Sequence, residues 1–218
     1  MNAVELKDIK VQFKNKILFE NINLVIEEGT INTIMGESGS GKSTLLNIIG
    51  LLLKPTSGIV NILYHQDIKA NSREAMKILR NDVSYIFQNY ALIDEMTVYQ
   101  NIELGLKYVK TNKKEVIEHI LHKLNLCDLK DEKISSLSGG EQQRVAFARA
   151  FVKPSSIILA DEPTGNLDEK NKNIVLKLLK ELNQEGKTIV IVTHDKEVAM
   201  IADHNYYLKD KNIVLENN

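Results

Sequence analysis

The fold of this chain is decided by the residues Gly36-Glu37-Ser38-Gly39-Ser40-Gly41-Lys42-Ser43. They match the pattern G-x-x-x-x-G-K-[ST], a loop in which backbone N–H groups converge on phosphates, a lysine supplies charge and a hydroxyl reaches Mg²⁺. An apolar, β-branched stretch, 30–35, precedes the loop, and residues 43–49 follow it with a helical pattern that ends near Gly50. Because this is the strand–loop–helix order that the motif requires, it is favoured over a plain glycine-rich turn. We therefore predict a phosphate site that includes Thr44 as well as the quoted loop.

The composition is that of an ordinary globular chain. The 218 residues are 43% hydrophobic and 26% charged, which is enough for one domain, or for a domain with a smaller lobe. Lys and Arg number 28 against 29 Asp and Glu, so the formal net charge is −1. No overall basic field would attract nucleic acid or an anionic membrane, and we expect no nucleic-acid partner.

The sequence also indicates a compartment. Alternating polar and apolar residues follow Met1 directly, unlike the start of a secretory signal. The longest apolar stretch, 48–53, is far shorter than the ~18 residues that span a bilayer. Cys127 is the single cysteine, which agrees with a reducing compartment, and we interpret it as a small core residue. We expect a cytoplasmic protein, with any membrane crossing made by another chain.

Hydrophobic periodicity predicts an α/β fold. Residues 4–13 and 22–26 alternate, which is typical of antiparallel strands with one solvated face. The short continuous runs 157–159 and 188–192 indicate strands of a parallel sheet that is covered on both faces. From 88 to 154 the pattern is helical, and another amphipathic helix is expected around 174–182. The clearest helical stripe consists of Val116, Ile117, Ile120, Leu121 and Leu124.

Two adjacent carboxylates end the strand that begins at Ile157. Asp161 is suited to orient Mg²⁺ while Glu162 acts as general base toward an attacking water. The alternative is a solvated acidic turn before Pro163, which the phosphate loop makes less favoured. His194 ends the run 188–193, and ligands of open α/β sheets lie beyond the carboxyl ends of strands. We therefore expect His194 to contact the γ-phosphate or the water.

Two further candidates lie at strand positions. Gln88 follows the apolar run 83–87, where its amide could reach both Mg²⁺ and water, although it could also be a strand-end cap. Phe13 could stack on adenine, although a phenylalanine in a strand is more often a core residue. The other histidines are interpreted as surface or helix-face residues: His65, His119, His122 and His204.

A second anion site is predicted where Ser138-Gly139-Gly140 precedes the helix-forming stretch 141–150. The serine is a good N-cap, and the glycines leave backbone donors exposed at a helix N-terminus. Taken alone, this segment would be a plain capped helix.

With these motifs assembled, residues 3–215 closely resemble the nucleotide-binding subunit of ABC transporters. The resemblance assigns the Walker A loop to Gly36–Ser43, the Q-loop to Gln88, the signature to Leu137–Gln142, the Walker B pair to Asp161 and Glu162, part of the D-loop to Leu167-Asp168, and the switch histidine to His194. The implied cofactors are ATP and Mg²⁺. The residues assigned to catalysis are Glu162, His194, Gln88 and Lys42. Those assigned to metal binding are Ser43, Gln88 and Asp161. Nucleotide contacts are assigned to the Walker A loop, Thr44, Phe13, Ser138, Gly139, Gly140, Gln142 and Asp168.

The resemblance implies a RecA-like P-loop core with an N-terminal antiparallel β region and an α-helical lobe. We expect a single domain, 1–218, in which 1–88 and 155–218 form the β region and core and 89–154 form the helical lobe. Two subunits would face head to tail, with each ATP between the Walker loops of one and residues 138–140 of the other, as an ATP-dependent homodimer. A separate transmembrane permease would hold the subunit on the inner face of the membrane, with no direct contact to the cargo.

The stretch 87–93, together with Thr97-Val98 and Asn101-Ile102, looks most like the macrolide-export, lipoprotein-release and bacteriocin-export branch, as does 160–168. This implies an ATPase that powers export of a peptide, antibiotic or lipid-like cargo. An amino-acid importer, or a subunit of a mechanotransmission or division complex, stays open. The neutral charge and single motif set argue against an ABC ATPase acting on DNA or ribosomes.

The permease is expected to dock near the Q-loop. Tyr90, Leu92 and Met96 are the candidates for receiving it, although apolar residues beside a loop are more often core residues.

Overall fold

A computed structural model describes residues 1–14, 16–165 and 167–216. Of the stretch 160–168 used above, Asn166 therefore lies outside the described residues, as do the last two residues of the predicted domain. The described ranges contain two sheets and seven α-helices.

The N-terminal part forms an antiparallel sheet of three strands, Asn2–Phe13 (β1), Lys16–Glu27 (β2) and Ser57–Ile62 (β4). Their order in the sheet is β2-β1-β4. The two predicted antiparallel strands are present, and both are longer than 4–13 and 22–26. β2 begins earlier than predicted. The sequence pattern missed its first residues because Leu18 and Phe19 are consecutive apolar residues, which interrupt the alternation of polar and apolar positions.

The main sheet has six strands: Ile31–Met35 (β3), Val83–Ile86 (β5), Ile157–Asp161 (β6), Thr188–Val192 (β7), His204–Lys209 (β8) and Asn212–Glu216 (β9). Their order in the sheet is β5-β6-β7-β3-β8-β9. All neighbours are parallel except the C-terminal pair β8 and β9. Because parallel strands end at the same edge, the segments that follow β3, β5, β6 and β7 meet there.

Helices cover this sheet and connect its strands. They are Lys42–Ile49 (α1), Arg73–Asn81 (α2), Val98–Leu104 (α3), Lys113–Lys123 (α4), Gly139–Val152 (α5), Glu169–Gln184 (α6) and Lys196–Ala199 (α7), with 3₁₀ turns at Cys127–Leu129 and Ile134–Ser136. The sequence pattern did not predict α2, in which only Ala75 and Ile78 are buried. In the described residues, no helix is long and apolar enough to cross a bilayer.

Two hydrophobic cores lie on opposite faces of the main sheet. Alternate residues of one strand enter different cores: Ile157 and Leu159 pack toward the antiparallel sheet and α1, whereas Ile158 and Ala160 pack toward α3–α6. Both faces of β6 are therefore buried, which explains why its sequence is continuously apolar. Helices α3–α5 share their core with the strands, and the bounds 89–154 for a helical lobe stay a prediction.

Candidate nucleotide site

The phosphate loop connects β3 to α1, and its glycines are required by its geometry. Gly36 and Gly41 have φ angles of +150° and +103°, which disfavour any side chain. A Cβ at Gly36 would lie 2.6 Å from the Leu208 carbonyl oxygen, and one at Gly41 would lie 2.7 Å from a ring carbon of Phe19. The loop can thus take this path only with glycine at both positions.

Lys42, the first residue of α1, folds back over this loop. Its ammonium donates to the carbonyl oxygens of Gly36, at 2.9 Å, and Glu37, at 3.0 Å. Residues 37–39 are exposed around it. The positive charge is therefore held at the mouth of the loop, beside the N-terminus of a helix, where an anion is favoured.

Ser43 and Asp161 join the loop to the end of β6. The Ser43 hydroxyl donates to Asp161 Oδ1 at 3.0 Å. Burial raises the pKa of Asp161, as does the negative charge of Glu162, while the Ser43 hydrogen bond and Lys42 act to lower it. The pair offers one hydroxyl and one half-buried carboxylate, and such oxygen ligands suit a hard cation.

Glu162 and His194 form a second pair at the same edge. His194 Nδ1 lies 3.0 Å from Glu162 Oε1, and the two side chains are 76% and 14% exposed, respectively. Glu162 has a φ of 45°, and its backbone N–H donates to the Val192 carbonyl at the end of β7. Its second oxygen, Oε2, is buried without a hydrogen-bond partner among the described residues. Glu162 therefore carries an unused acceptor at a strained backbone position, a combination that is frequent at functional sites.

Gln88 belongs with this pair. It is exposed just after β5, and it lines a cleft of about 390 Å³. The other lining residues are Glu162, Thr164, Gly165, His194, Asp195 and Lys196. The structure thus brings three predicted residues, Gln88, Glu162 and His194, into one cleft. Their individual roles stay predictions.

Ser138 is the N-cap of α5, as predicted. Its side chain accepts from the Glu141 backbone N–H, while Glu141 Oε2 accepts from the Ser138 hydroxyl at 2.6 Å and from its N–H at 2.8 Å. These hydrogen bonds lower the pKa of Glu141. Gly139 is open except for the Tyr90 hydroxyl, 3.7 Å from where its Cβ would be, and Gly140 faces Asn171 of α6. Residues 138–140 do not line the cleft that holds Glu162 and His194.

Gln142 and Asp168 have structural contacts that the sequence did not predict. The Gln142 amide donates to the carbonyls of Ile134, at 3.2 Å, and Leu137, at 3.1 Å. Asp168 is the N-cap of α6 and accepts from the Asn171 backbone N–H at 2.8 Å. Neither side chain lines the Glu162 cleft, and contacts of either residue with a nucleotide stay predictions.

Phe13, Cys127 and the predicted docking residues differ in their surroundings. Phe13 is 51% exposed at the end of β1, so it is not a core residue, and its ring is accessible for stacking. Cys127 is only half-buried and packs against the core that contains α3–α6. Of the predicted docking residues, Leu92 packs against that same core, Tyr90 approaches Gly139, and Met96 is half-buried.

The remaining histidines lie away from the cleft. His119 and His122 are exposed on α4, as predicted, and His65 Nδ1 lies 2.8 Å from Glu74 Oε1. His65 and His204 are both half-buried and lie outside helices, and His204 begins β8.

The sequence reasoning missed Thr164 and Asp195, which line the cleft. The sequence could have indicated Asp195, because it directly follows His194 and is a favourable N-cap residue before the helix Lys196–Ala199. No comparable signal marks Thr164, whose hydroxyl contacts Asp195 across the fold.

Comparison with known proteins agrees with this geometry. The family model described as ABC transporter matches residues 19–165. The chain is 41% identical to the uncharacterized ABC transporter ATP-binding protein YvrO of Bacillus subtilis, with 96% of this chain and 93% of that protein covered. It is 42% identical to the macrolide export ATP-binding/permease protein MacB of a Shewanella species, with 90% of this chain but 31% of MacB covered.

Among solved structures, the dimer of the ATP-binding cassette MJ0796 bound to ADP and Pi has a TM-score of 0.89 and 40% identity, with 98% of both chains covered. MJ0796 comes from Methanocaldococcus jannaschii. The chain belongs to the ABC transporter family, and its fold is that of the ATP-binding cassette. The predicted family, α/β fold class and ATPase activity are thereby confirmed.

Proposed function

We propose that this chain hydrolyses ATP as one half of a homodimer and thereby powers a separate membrane permease. One observation carries the proposal: Lys42, the Ser43–Asp161 pair and the Glu162–His194 pair meet at one edge of the main sheet. A positive charge, a cation site and a base therefore lie together as phosphoryl transfer to water requires.

The phosphate loop would hold the β- and γ-phosphates. Lys42 exchanges its two carbonyl acceptors for phosphate oxygens, and the backbone N–H groups of residues 36–44 complete the cradle. Ser43 and Asp161 would hold Mg²⁺, which neutralises charge on the phosphates. No group of three His, Cys, Asp or Glu side chains suited to a metal occurs in the described residues. This agrees with Mg²⁺, which is usually held by one or two carboxylates together with phosphates.

The attacking water would be oriented at the neighbouring pair. Glu162 would accept its proton, since its side chain lines the cleft and its carboxylate is held there by His194 through Oε1. His194 keeps the carboxylate in place and can reach the γ-phosphate. Gln88, exposed in the same cleft, would contact both the water and the cation.

The second half of the site would come from another copy. Residues 138–140 present the N-terminus of α5, yet they lie outside the cleft of their own chain. Facing two copies head to tail would place these donors on the opposite nucleotide. The related cassette MJ0796 is dimeric with ADP and Pi, which supports this arrangement.

Magnesium removal tests the cation site directly. The purified chain is expected to release phosphate from ATP when Mg²⁺ is present. With EDTA the rate should fall at least about 100-fold, since the cation provides several kcal/mol of charge stabilisation. Phosphate release is measured by a coupled assay, and restored Mg²⁺ serves as the control. A rate that is unchanged by EDTA would exclude the assigned cation site.

A larger cleft of about 810 Å³ lies between α2, β5 and the end of α3 and is suited to the permease. Met76 and Tyr108 are 57% and 60% exposed at its walls. Burial lowers the pKa of Lys153, which lines the cleft, to about 8. The charged residues that line the cleft are Arg80, Lys110, Arg149 and Lys153 against Asp82. An amphipathic segment that carries a carboxylate would therefore suit this cleft.

Charge reversal checks this docking site. The double variant Arg80→Glu and Lys110→Glu is expected to reduce co-purification with the permease at least about tenfold, because like charges at an interface cost several kcal/mol. ATPase activity of the isolated subunit should be kept. Lys114→Glu, on the exposed face of α4, is the matched control. Equal recovery of the permease with both variants would place the docking surface elsewhere.

The cargo class is a further part of the proposal. We propose export of a peptide, antibiotic or lipid-like molecule, because MacB is a macrolide export protein with 42% identity over the shared part. The subunit would lie at the inner face of the membrane through the permease. Identifying the co-purified membrane protein decides between this branch and the alternatives of amino-acid import or a division complex.

A further inference from the structure

Lys172 forms a bridge between α6 and the segment that follows His194. Its ammonium lies 2.8 Å from Asp195 Oδ2 and 3.0 Å from Glu197 Oε1, and its side chain is 15% exposed. No other cation forms an ion pair with these two carboxylates in the part of the chain that the structure describes. A single lysine thus holds two negative groups that would otherwise repel each other.

Asp195 is the central residue of this network. Its Oδ2 also accepts from the Thr164 hydroxyl at 3.2 Å, and its Oδ1 accepts from the Glu197 backbone N–H at 2.9 Å as the cap of α7. Burial acts to raise the pKa of Asp195, but the Lys172 hydrogen bond and the Glu197 N–H outweigh it, so the pKa is lowered. Asp195 is therefore ionised and fixed from three sides.

His194 depends on this fixation because little else holds it. Its side chain is largely exposed, and its one hydrogen bond in the described residues joins it to Glu162. The orientation of the imidazole is thus set mainly by the backbone of residues 193–195. That backbone is held at the Thr193 hydroxyl, which accepts from the Asp195 N–H at 3.0 Å, and at the Asp195 carboxylate.

On the basis of the ATPase reaction proposed above, we propose that Lys172 is a positioning residue for ATP hydrolysis, which acts through Asp195 to keep the His194 imidazole against Glu162. Lys172 lies in the first turn of α6, where its backbone N–H donates to the carbonyl of Asp168. The start of α6 and the histidine are therefore mechanically linked through one ammonium.

The test compares purified variants by steady-state ATPase kinetics. Lys172→Met removes the charge and keeps the length of the side chain, Lys172→Arg keeps the charge, and Lys180→Met is the matched control on the exposed face of α6. Lys172→Met is expected to lower kcat by about tenfold, because a small displacement of a catalytic group is costly. The KM for ATP should stay within about twofold, and Lys172→Arg should recover most of the rate.

A double variant, Lys172→Met combined with His194→Ala, separates positioning from general stability when it is compared with His194→Ala alone. If Lys172 acts through His194, the double variant and His194→Ala have the same kcat. The proposal is overturned if the kcat of the double variant is lower than that of His194→Ala by the whole factor that Lys172→Met causes alone. It is also overturned if Lys172→Met alone leaves kcat unchanged. Absence of ATPase activity in the unmodified protein would instead contradict the proposed function.

Discussion

Glu162→Gln is expected to lower ATP turnover by about 10²–10⁴-fold, the loss typical of a missing general base. The substitution keeps the size of the side chain, and the amide oxygen can still accept from His194, whose Nδ1 lies 3.0 Å from Oε1. What disappears is the basicity of the carboxylate that lines the cleft. Single-turnover phosphate release measures the chemical step without product release.

The same variant should bind ATP and accumulate as a dimer. Since ATP would join the two copies and hydrolysis would separate them, a slow variant stays in the joined state. Size-exclusion chromatography with and without Mg-ATP measures the shift. Glu118→Gln, an exposed glutamate of α4, is the control. Full turnover by Glu162→Gln would remove Glu162 from its proposed role.

Lys42→Ala is expected to weaken ATP binding by about 10- to 100-fold, which corresponds to the loss of charge-assisted hydrogen bonds of about 1.5–3 kcal/mol. Lys42 is placed at the mouth of the loop by two carbonyls, so its removal takes away the positive charge at the phosphate cradle. Equilibrium binding of a fluorescent ATP analogue measures the effect in the absence of turnover.

Lys54→Ala is the matched control, since Lys54 is an exposed lysine beyond the end of α1. Circular dichroism would show that both variants are folded. If Lys42→Ala bound ATP with the affinity of the unmodified chain, the phosphate-cradle assignment would be wrong.

The features that the sequence could predict are local in the chain. The phosphate loop is recognisable because strand, loop and helix are consecutive, and the buried strand Ile157–Asp161 is recognisable because both its faces are apolar. The juxtaposition of Glu162 and His194 followed from one rule, that parallel strands end at the same edge. Ser138 was predicted as an N-cap from its residue type and the helix that follows it.

The features that the sequence could not predict depend on distant contacts. Helix α2 is an exception, because its sequence carries local signals that the sequence analysis missed: Ser72 is an N-cap, and Ala75, Ile78 and Leu79 pack on the core at helical spacing. The ion pair of Lys172 with Asp195 joins two separate segments, and no periodicity relates them. Leu92 was predicted to dock the permease, and its packing against the core could not be foreseen because it depends on the fold. The exposure of Met76 and Tyr108, which makes them candidates for contacting the permease, depends on the fold in the same way.

The most direct test of the central claim is a structure of the Glu162→Gln variant with Mg-ATP. We predict a head-to-tail dimer in which residues 138–140 of one copy lie within hydrogen-bond distance of the γ-phosphate held by Lys42 of the other. An ATP-loaded monomer, or a dimer in which residues 138–140 are remote from every phosphate, would contradict it.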